Sequence, residues 1–162
     1  MNSYDAIILG AGAAGLMCAG IAGQRGLSVA VLERAEQPGK KILISGGGRC
    51  NFTNIGAGPA NYLSSNPHFA KSALARYTPA DFLALVEKHG IAWHEKTLGQ
   101  LFCDGSARQI VAMLLAECPA ETVNIVCNAD VSAVARGDDG TFTVTASGKT
   151  YTAPALVIAT GG

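Results

Sequence analysis

The stretch YDAIILGAGAAGLMCAGIAGQRGLSVAVLE, residues 4–33, decides the fold of this chain. Residues 4–9 form a short apolar run, which is typical of a buried parallel strand. Residues 10–15 then spell GxGxxG, and residues 16–26 carry small and apolar side chains at helical spacing before a closing glycine. Residues 27–32 form a second apolar run. The order strand, tight turn, helix, strand predicts a Rossmann-like α/β fold with a parallel sheet.

The residue types in this turn suit the binding of an ADP moiety. Gly10 permits the turn, Gly12 lets the backbone approach a pyrophosphate, and Gly15 lets the helix lie close to the sheet. The helix N-terminus offers N–H groups and a partial positive charge to phosphates. Glu33 stands 23 residues after Gly10, where a carboxylate can accept both ribose hydroxyls. The pattern leaves open whether the ADP belongs to NAD or to FAD, and its alternative is a tight-packing turn without a ligand.

Charge and composition limit the classes of partner. Twelve basic and twelve acidic residues cancel, so the chain lacks the electrostatic footprint of a protein that binds nucleic acid or an anionic membrane. The uncharged run at residues 6–23 has the length of a membrane span, but five glycines interrupt it. We therefore expect no nucleic acid partner and no membrane partner.

The cysteines and histidines indicate neither a disulfide framework nor a metal centre. Five cysteines are an odd number, and none of them forms a CxxC pair. This usage favours a reducing compartment, so we expect a cytoplasmic protein. The three histidines are scattered without metal-ligand spacing, which favours structural roles for them and no metal site.

The rest of the chain divides into a loop, a mainly helical part and a run of strands. Residues 37–60 are rich in glycine and polar residues, and connections of this length are usually functional or disordered. Within them KILIS, residues 41–45, is predicted to be a short strand or turn. Residues 61–118 are predicted to be a mainly helical insertion with one hairpin. Residues 123–152 have the strand period of a β-meander after one further strand, and ALVIATGG, residues 155–162, is a buried strand that opens into glycines.

These motifs resemble the two-dinucleotide-binding-domain flavoproteins, the glutathione reductase-like superfamily. GxGxxGxxxA with Glu33 resembles its FAD fingerprint, and ALVIATGG resembles its second FAD segment. GKKILISGGGRCNFTN, residues 39–54, is similar to the signature of the BaiN-like (YhiN-type) bacterial flavoproteins. The resemblance covers all 162 residues and implies the N-terminal part of a longer protein, truncated before its substrate domain.

The resemblance implies FAD as cofactor and a flavin-dependent oxidoreductase as the parent protein. Some family members are linked to reduction of a conjugated carbon–carbon double bond, so we expect hydride transfer to a small-molecule substrate, with NAD(P)H as the candidate electron donor. An NAD-binding dehydrogenase domain and a non-catalytic cofactor-binding fragment are the alternatives. Catalytic residues are not assigned.

Within the implied site, the three glycines at residues 46–48 are expected to present backbone N–H groups to cofactor oxygens. Arg49 would add positive charge beside them. Cys50 is either a redox-active thiol, favoured by Arg49, or a packing residue beside the flavin, and the lack of a nearby second cysteine in the sequence favours packing. The residues expected to contact FAD are Gly10, Gly12, Ala13, Ala14, Gly15, Glu33, Arg34, Lys40, Lys41, Ser45, Gly46, Gly47, Gly48, Arg49, Cys50, Asn51, Asp130, Val131, Ala159, Thr160 and Gly161.

Overall fold

The computed structural model describes residues 2–161, which form two compact units. The first unit contains the residues up to Ile42 and those from Val111 onward, and the second unit is Leu43–Ile110. The strands are β1 (Asn2–Ser3), β2 (Ala6–Leu9), β3 (Val29–Leu32), β4 (Asn51–Asn54), β5 (Trp93–Glu95), β6 (Gln100–Cys103), β7 (Val123–Val126), β8 (Val131–Arg136), β9 (Phe142–Ala146), β10 (Lys149–Ala153) and β11 (Ala155–Ile158). The α-helices are α1 (Ala13–Gln24), α2 (Lys40–Ile44), α3 (Lys71–Arg76), α4 (Pro79–Lys88) and α5 (Ala107–Ala116), and Ser45–Gly48 and Pro59–Asn61 are short 3-10 helices.

A parallel four-stranded sheet of order β11-β2-β3-β7 forms the centre of the first unit. Its two middle strands are the apolar runs that flank the glycine turn, and Ile7 and Val31 in them are fully buried. Helix α1 is the crossover between them and packs closely: a Cβ at Gly23 would stand 2.5 Å from a methyl group of Val123. The predicted Rossmann-like α/β fold is confirmed.

A second sheet in the first unit has the order β1-β10-β9-β8. Strands β8, β9 and β10 form the antiparallel meander that the strand period predicts, and β1 adds to it in parallel with β10. Ile7 and Leu32 of the parallel sheet belong to the same core cluster as Val144 and Tyr151 of the meander. Burial of such side chains contributes about 1.5–3 kcal/mol each to folding. The cluster therefore packs one face of the parallel sheet against the meander.

The second unit contains an antiparallel sheet of order β4-β6-β5 together with helices. The predicted hairpin is present as β5 and β6. Thr78 caps α4, since its hydroxyl accepts a hydrogen bond from the N–H of Asp81 at 3.2 Å, while the Asp81 carboxylate accepts one from the N–H of Thr78 at 2.7 Å. The insertion expected over residues 61–118 stays a prediction, and the compact unit that the structure contains also includes residues 43–60.

The prediction of a strand or turn for residues 41–45 is wrong. Most of this segment lies in helix α2, which leads directly into the 3-10 helix. The helix follows Gly39, whose N–H donates to the carbonyl of Ala11 at 2.8 Å and whose φ of +71° suits glycine. A run of three apolar residues is too short for its period to distinguish a strand from a helical turn.

Candidate cofactor-binding site

The glycine turn combines two packed positions with one open position. Gly10 has φ of +101°, and a Cβ there would stand 2.5 Å from the carbonyl oxygen of Ala159. A Cβ at Gly15 would overlap the carbonyl oxygen of Gly10. At Gly12 a Cβ would meet no atom within 4 Å. Packing within the protein therefore requires glycine at residues 10 and 15, whereas the bare backbone of Gly12 faces open space.

Helix α1 begins beside this open position. Its N-cap residue is Gly12, and within residues 2–161 no side chain caps it and no acidic residue lies in its first turn. Ala13 and Ala14 are exposed. The first N–H groups of a helix lack intrahelical partners and carry partial positive charge. The turn thus has the chemistry of a phosphate-binding helix N-terminus.

Glu33 joins the turn to the end of β3. One carboxylate oxygen accepts a hydrogen bond from the N–H of Ala11 at 2.6 Å, and the other accepts one from the N–H of Ala35 at 2.8 Å. An ionised carboxylate has about four acceptor positions, so each oxygen keeps one for a further donor. The half-buried carboxylate is therefore fixed in place and still able to accept hydroxyl groups.

Three more of the residues expected to contact FAD, Arg34, Asp130 and Val131, lie beside Glu33. The carbonyl of Glu33 accepts a hydrogen bond from the N–H of Ala129 at 2.8 Å, which holds the start of the meander next to β3. Arg34 and Asp130 form an exposed ion pair at 3.7 Å. Such a pair adds little stability. The pair shows that Arg34 and Asp130, two residues expected to contact FAD, lie close to each other. Val131, a third such residue, follows Asp130 in the chain.

The end of β11 and the start of α2 also lie in the first unit near the turn. Gly10 packs against Ala159 and Thr160, as the close approach of their backbone atoms requires. Gly161 has φ of +74°, and a Cβ there would stand 3.5 Å from the Lys41 ammonium nitrogen. Lys40, which precedes Lys41, is exposed at the start of α2. The first unit therefore brings together its expected residues from five separate parts of the chain.

The glycines of the second unit form a different structure. Gly46, Gly47 and Gly48 have φ of +56°, +66° and +85°, which are left-handed conformations. A Cβ at residue 47 or 48 would meet nothing within 4 Å, whereas one at residue 46 would stand 2.8 Å from the Phe102 ring. The N–H of Cys50 donates to the carbonyl of Ser45 at 3.1 Å and closes the loop. This glycine loop, Ser45–Cys50, thus exposes backbone that needs glycine for its dihedral angles.

Two polar side chains at the end of the glycine loop have different environments. Arg49 is exposed at its end. The amide group of Asn51, oriented to suit its neighbours, donates to the carbonyl of Thr53 at 3.0 Å and to that of Leu101 at 3.3 Å. The asparagine therefore holds the loop against β6.

The structure places a second cysteine next to Cys50. The N–H of Cys103 donates to the carbonyl of Arg49 at 3.0 Å, and both thiols are buried, with exposed fractions of 5% for Cys50 and 0% for Cys103. Burial raises the pKa of the Cys50 thiol, and burial followed by the charge of Cys50 raises the pKa of Cys103 to about 11. Arg49 does not produce a thiolate here. The geometry favours packing for Cys50, although its left-handed φ of +53° is unusual for a side-chain residue.

A histidine–aspartate pair lies in the same unit and was not expected from the sequence. Nδ1 of His94 lies 2.6 Å from Oδ1 of Asp104, and the His94 ring stacks on Phe102 with ring centroids 6.2 Å apart. The two residues are ten positions apart on different sides of a hairpin. Only the register of β5 on β6, with His94 opposite Phe102, brings them together.

The described residues contain neither a metal-binding cluster nor a membrane-spanning helix. Among residues 2–161 no group of three or more histidine, cysteine, aspartate or glutamate side chains is placed to hold a metal ion. No helix of the part of the chain that the structure describes is long and apolar enough to cross a membrane.

Three curated proteins are similar in sequence. The chain is 57% identical over 162 residues to ribosomal RNA dihydrouridine synthase of Escherichia coli K12, covering all of this chain and 40% of the relative. It is 49% identical over 166 residues to the protein of the same name from Haemophilus influenzae, covering 41% of that relative. A 3-dehydro-bile acid delta(4,6)-reductase of Clostridium scindens is 31% identical over 160 residues, with 96% of this chain and 38% of the relative covered. The chain therefore spans about 40% of the length of these relatives.

Solved structures share the fold at low sequence identity. A 3-ketosteroid-delta4-(5alpha)-dehydrogenase from Rhodococcus jostii RHA1 matches with a TM-score of 0.69 at 16% identity, covering 99% of this chain and 46% of that one. A glycine oxidase from Geobacillus kaustophilus matches with a TM-score of 0.66 at 19% identity, covering 99% of this chain and 56% of the other. These matches confirm the architecture of the chain.

The family comparison covers nearly the whole sequence. The model described as HI0933-like protein Rossmann domain matches residues 4–162, which contain both glycine-rich segments and ALVIATGG. The resemblance to the BaiN-like (YhiN-type) proteins is thereby confirmed at the level of the family. The chain belongs to the HI0933-like Rossmann domain family.

Proposed function

We propose that this chain is the FAD-binding part of a flavin-dependent reductase that adds hydrogen across a conjugated carbon–carbon double bond. The observation that carries the proposal is the open backbone of Gly12 at the uncapped N-terminus of α1. Open space, free N–H groups and positive helix charge at one point suit a pyrophosphate. Glu33 stands at the end of the neighbouring strand, where a dinucleotide would present its ribose.

The turn and the Glu33 carboxylate have the chemistry that the ADP part of FAD requires. Gly12 and the first turn of α1 would hold the pyrophosphate, Glu33 would accept the ribose hydroxyls, and Arg34 with the backbone at residues 130–131 would flank the adenine. We propose that the remaining part of the cofactor contacts Lys40, Lys41, Ser45, Gly46, Gly47, Gly48, Arg49, Cys50, Asn51, Ala159, Thr160 and Gly161. When bound, the flavin supplies the hydride, and the protein supplies orientation and charge. An NAD domain would use only the turn and Glu33, so it would leave the glycine loop without a role.

The names of the relatives indicate the class of reaction that we propose. A dihydrouridine synthase and a delta(4,6)-reductase both saturate a carbon–carbon double bond, and in uracil that bond is conjugated with a carbonyl group. Identity is 57% and 49% to the two proteins named for ribosomal RNA, against 31% to the one named for a bile acid. We therefore propose a uridine of ribosomal RNA as the substrate of the whole protein.

This proposal departs from the expectation of no nucleic acid partner. The expectation rests on the balanced charge of 162 residues, and the relatives are more than twice as long. Phosphate contacts with RNA require basic side chains on a shared surface. We assign those contacts to the part of the protein that corresponds to the remaining length of the relatives.

The test uses the protein expressed from its complete open reading frame. We expect purified protein to be yellow with bound FAD and to form dihydrouridine in ribosomal RNA from a strain that lacks the gene, with NADPH or NADH as donor. Mass spectrometry of the digested RNA measures the product. Protein that takes up no FAD, or that binds NADH tightly with FAD excluded, would contradict the cofactor assignment. FAD-loaded protein that leaves the RNA unchanged but reduces a conjugated ketosteroid would contradict ribosomal RNA as the substrate and support a steroid-like substrate instead.

A further inference from the structure

The His94–Asp104 pair has the geometry of an oriented proton donor. The 2.6 Å contact between Nδ1 of His94 and Oδ1 of Asp104 fixes the ring and makes Nδ1 a hydrogen-bond donor to the carboxylate. Nε2 is then the nitrogen that can exchange a proton with another group, and among residues 2–161 no hydrogen bond to it is observed. Both side chains are partly open to solvent, with exposed fractions of 41% and 50%. The pair can therefore release a proton to a ligand and recover one from water.

Phe102 connects this pair to the glycine loop. Asn51, Phe102 and His94 stand opposite one another in β4, β6 and β5. Residues directly opposite in antiparallel strands project from the same face of a sheet. The Phe102 ring stacks on His94 with an interplanar angle of 19°, and the same ring is the group that a Cβ at Gly46 would meet at 2.8 Å. The histidine thus lies one ring away from the loop that we assign to the cofactor.

The charged surroundings of His94 are of both signs. Asp104 faces it directly, and the Lys96 ammonium nitrogen lies 5.3 Å from the centroid of the Phe102 ring on which His94 stacks. A carboxylate beside a histidine orients the ring and selects one tautomer. An exposed lysine nearby favours an anionic ligand. This combination suits a substrate that carries phosphate or gains negative charge.

We propose that His94, positioned by Asp104, is the general acid of the reduction. The inference rests on the proposed function. As a hydride adds to one carbon of the double bond, the π bond breaks and the other carbon takes the proton from Nε2 of His94. Two C–H bonds form, the substrate gains two electrons, and His94 becomes neutral with its remaining proton on Nδ1 toward Asp104. Water then returns a proton to Nε2.

The buried thiols are the competing proton donors. Cys50 and Cys103 lie in the same unit, but their exposed fractions are 5% and 0%. A ligand carbon needs contact with the donor atom, which the half-exposed imidazole offers and the buried thiols do not. The test must therefore distinguish His94 from Cys103 as the proton donor.

The experiment uses the complete, FAD-loaded protein with His94→Gln, Asp104→Asn and Cys103→Ser, and with His68→Gln as the matched control, because His68 is exposed and lies outside the sheet. Anaerobic mixing with NADPH measures flavin reduction, and mixing of the reduced protein with ribosomal RNA measures reoxidation. We expect His94→Gln to slow reoxidation about 10²-fold or more. FAD content and flavin reduction should match the control. In a further variant, His94→Ala, added imidazole should partly restore the rate of reoxidation.

Asp104→Asn tests the positioning role separately. NMR of the imidazole nitrogens in the cofactor-free protein should show His94 shifted from the Nδ1–H tautomer in this variant. A His94→Gln variant that reoxidises as fast as the control, or a Cys103→Ser variant that loses reoxidation while His94→Gln keeps it, would overturn the inference. If the unsubstituted protein binds no FAD or is not reoxidised by the RNA, the proposed function fails, and the assignment of His94 fails with it.

Discussion

Two glycine-rich segments of this chain need glycine for different physical reasons. In the turn at residues 10–15, two glycines are required because neighbouring backbone atoms occupy the space of a side chain. In the glycine loop, Gly47 and Gly48 have open space around them and are required by their left-handed φ angles. The turn is therefore constrained by packing and the loop by conformation. Substitutions in the two segments should differ in what they damage.

The largest effect is expected for Gly15→Ala in the turn. The new Cβ would overlap the carbonyl oxygen of Gly10, so helix α1 must move away from the sheet. Overpacking of this severity costs about 3 kcal/mol or more. Urea unfolding should show that loss, and the protein should contain no FAD. Full stability in the variant would mean that the turn tolerates a side chain and is not constrained by packing.

Gly12→Ala is the matched change at the open position of the same turn. Its Cβ would meet no protein atom within 4 Å, and φ is already −81°, so stability should change by no more than about 0.5 kcal/mol. The methyl group would occupy the space through which a pyrophosphate approaches. We expect FAD affinity to fall at least about tenfold, or ~1.4 kcal/mol, as measured by titration of the cofactor-free protein. Unchanged FAD affinity would show that Gly12 does not contact the cofactor.

Gly47→Ala tests the conformational constraint in the loop. A left-handed φ costs an ordinary residue about 1–2 kcal/mol, and no neighbour opposes the added Cβ. Asparagine tolerates this region better, so Gly47→Asn should lose less free energy of unfolding than Gly47→Ala. Equal losses in both variants would show that space, and not the φ angle, selects glycine here.

The smallest effect concerns the thiol that lies next to the loop. The pKa of Cys103 is about 11 in the folded protein against an ordinary value of 9.0. The unfolded chain loses this proton at lower pH than the folded one, so the contribution to stability is complete below pH 9 and is lost as pH rises toward 11. Cys103→Ala should reduce the alkaline fall in free energy of unfolding, measured by urea titration across this range. The same fall in the variant as in a Cys18→Ala control would contradict the assignment to Cys103.

The sequence predicts the elements around the turn in the first unit and the hairpin of the second unit, but not the side-chain contacts of the second unit. Strand runs, the GxGxxG turn and Glu33 are local patterns with a known order, so the parallel sheet and the residues around the turn could be assigned from them. Arg34 and Asp130 lie 96 positions apart, and the resemblance to a family implies that both contact FAD. The structure brings their side chains to 3.7 Å, a contact that the sequence alone does not predict.

In the second unit the decisive relations are long-range. Cys50 and Cys103 become neighbours through the pairing of β4 with β6, which no local pattern specifies. His94 meets Asp104 through the register of β5 on β6, which the predicted hairpin alone does not fix. Helix α2 was also missed, because five residues fit either period. Strand register depends on packing across the whole sheet, which a single sequence does not reveal.

The assignment of the turn to FAD is tested by comparing cofactor binding in the unsubstituted protein, Gly12→Ala and Gly58→Ala, each first shown to be folded by its urea transition. Gly58 is the matched control, because it lies outside the proposed site and a Cβ there would also meet nothing within 4 Å. Equilibrium titration of the cofactor-free proteins with FAD, and separately with NADH, measures the two affinities. We predict tight FAD binding by the unsubstituted protein and by Gly58→Ala, with a loss of at least about tenfold in folded Gly12→Ala. Preferential binding of NADH by the unsubstituted protein, or equal FAD affinity in all three proteins, would contradict the account.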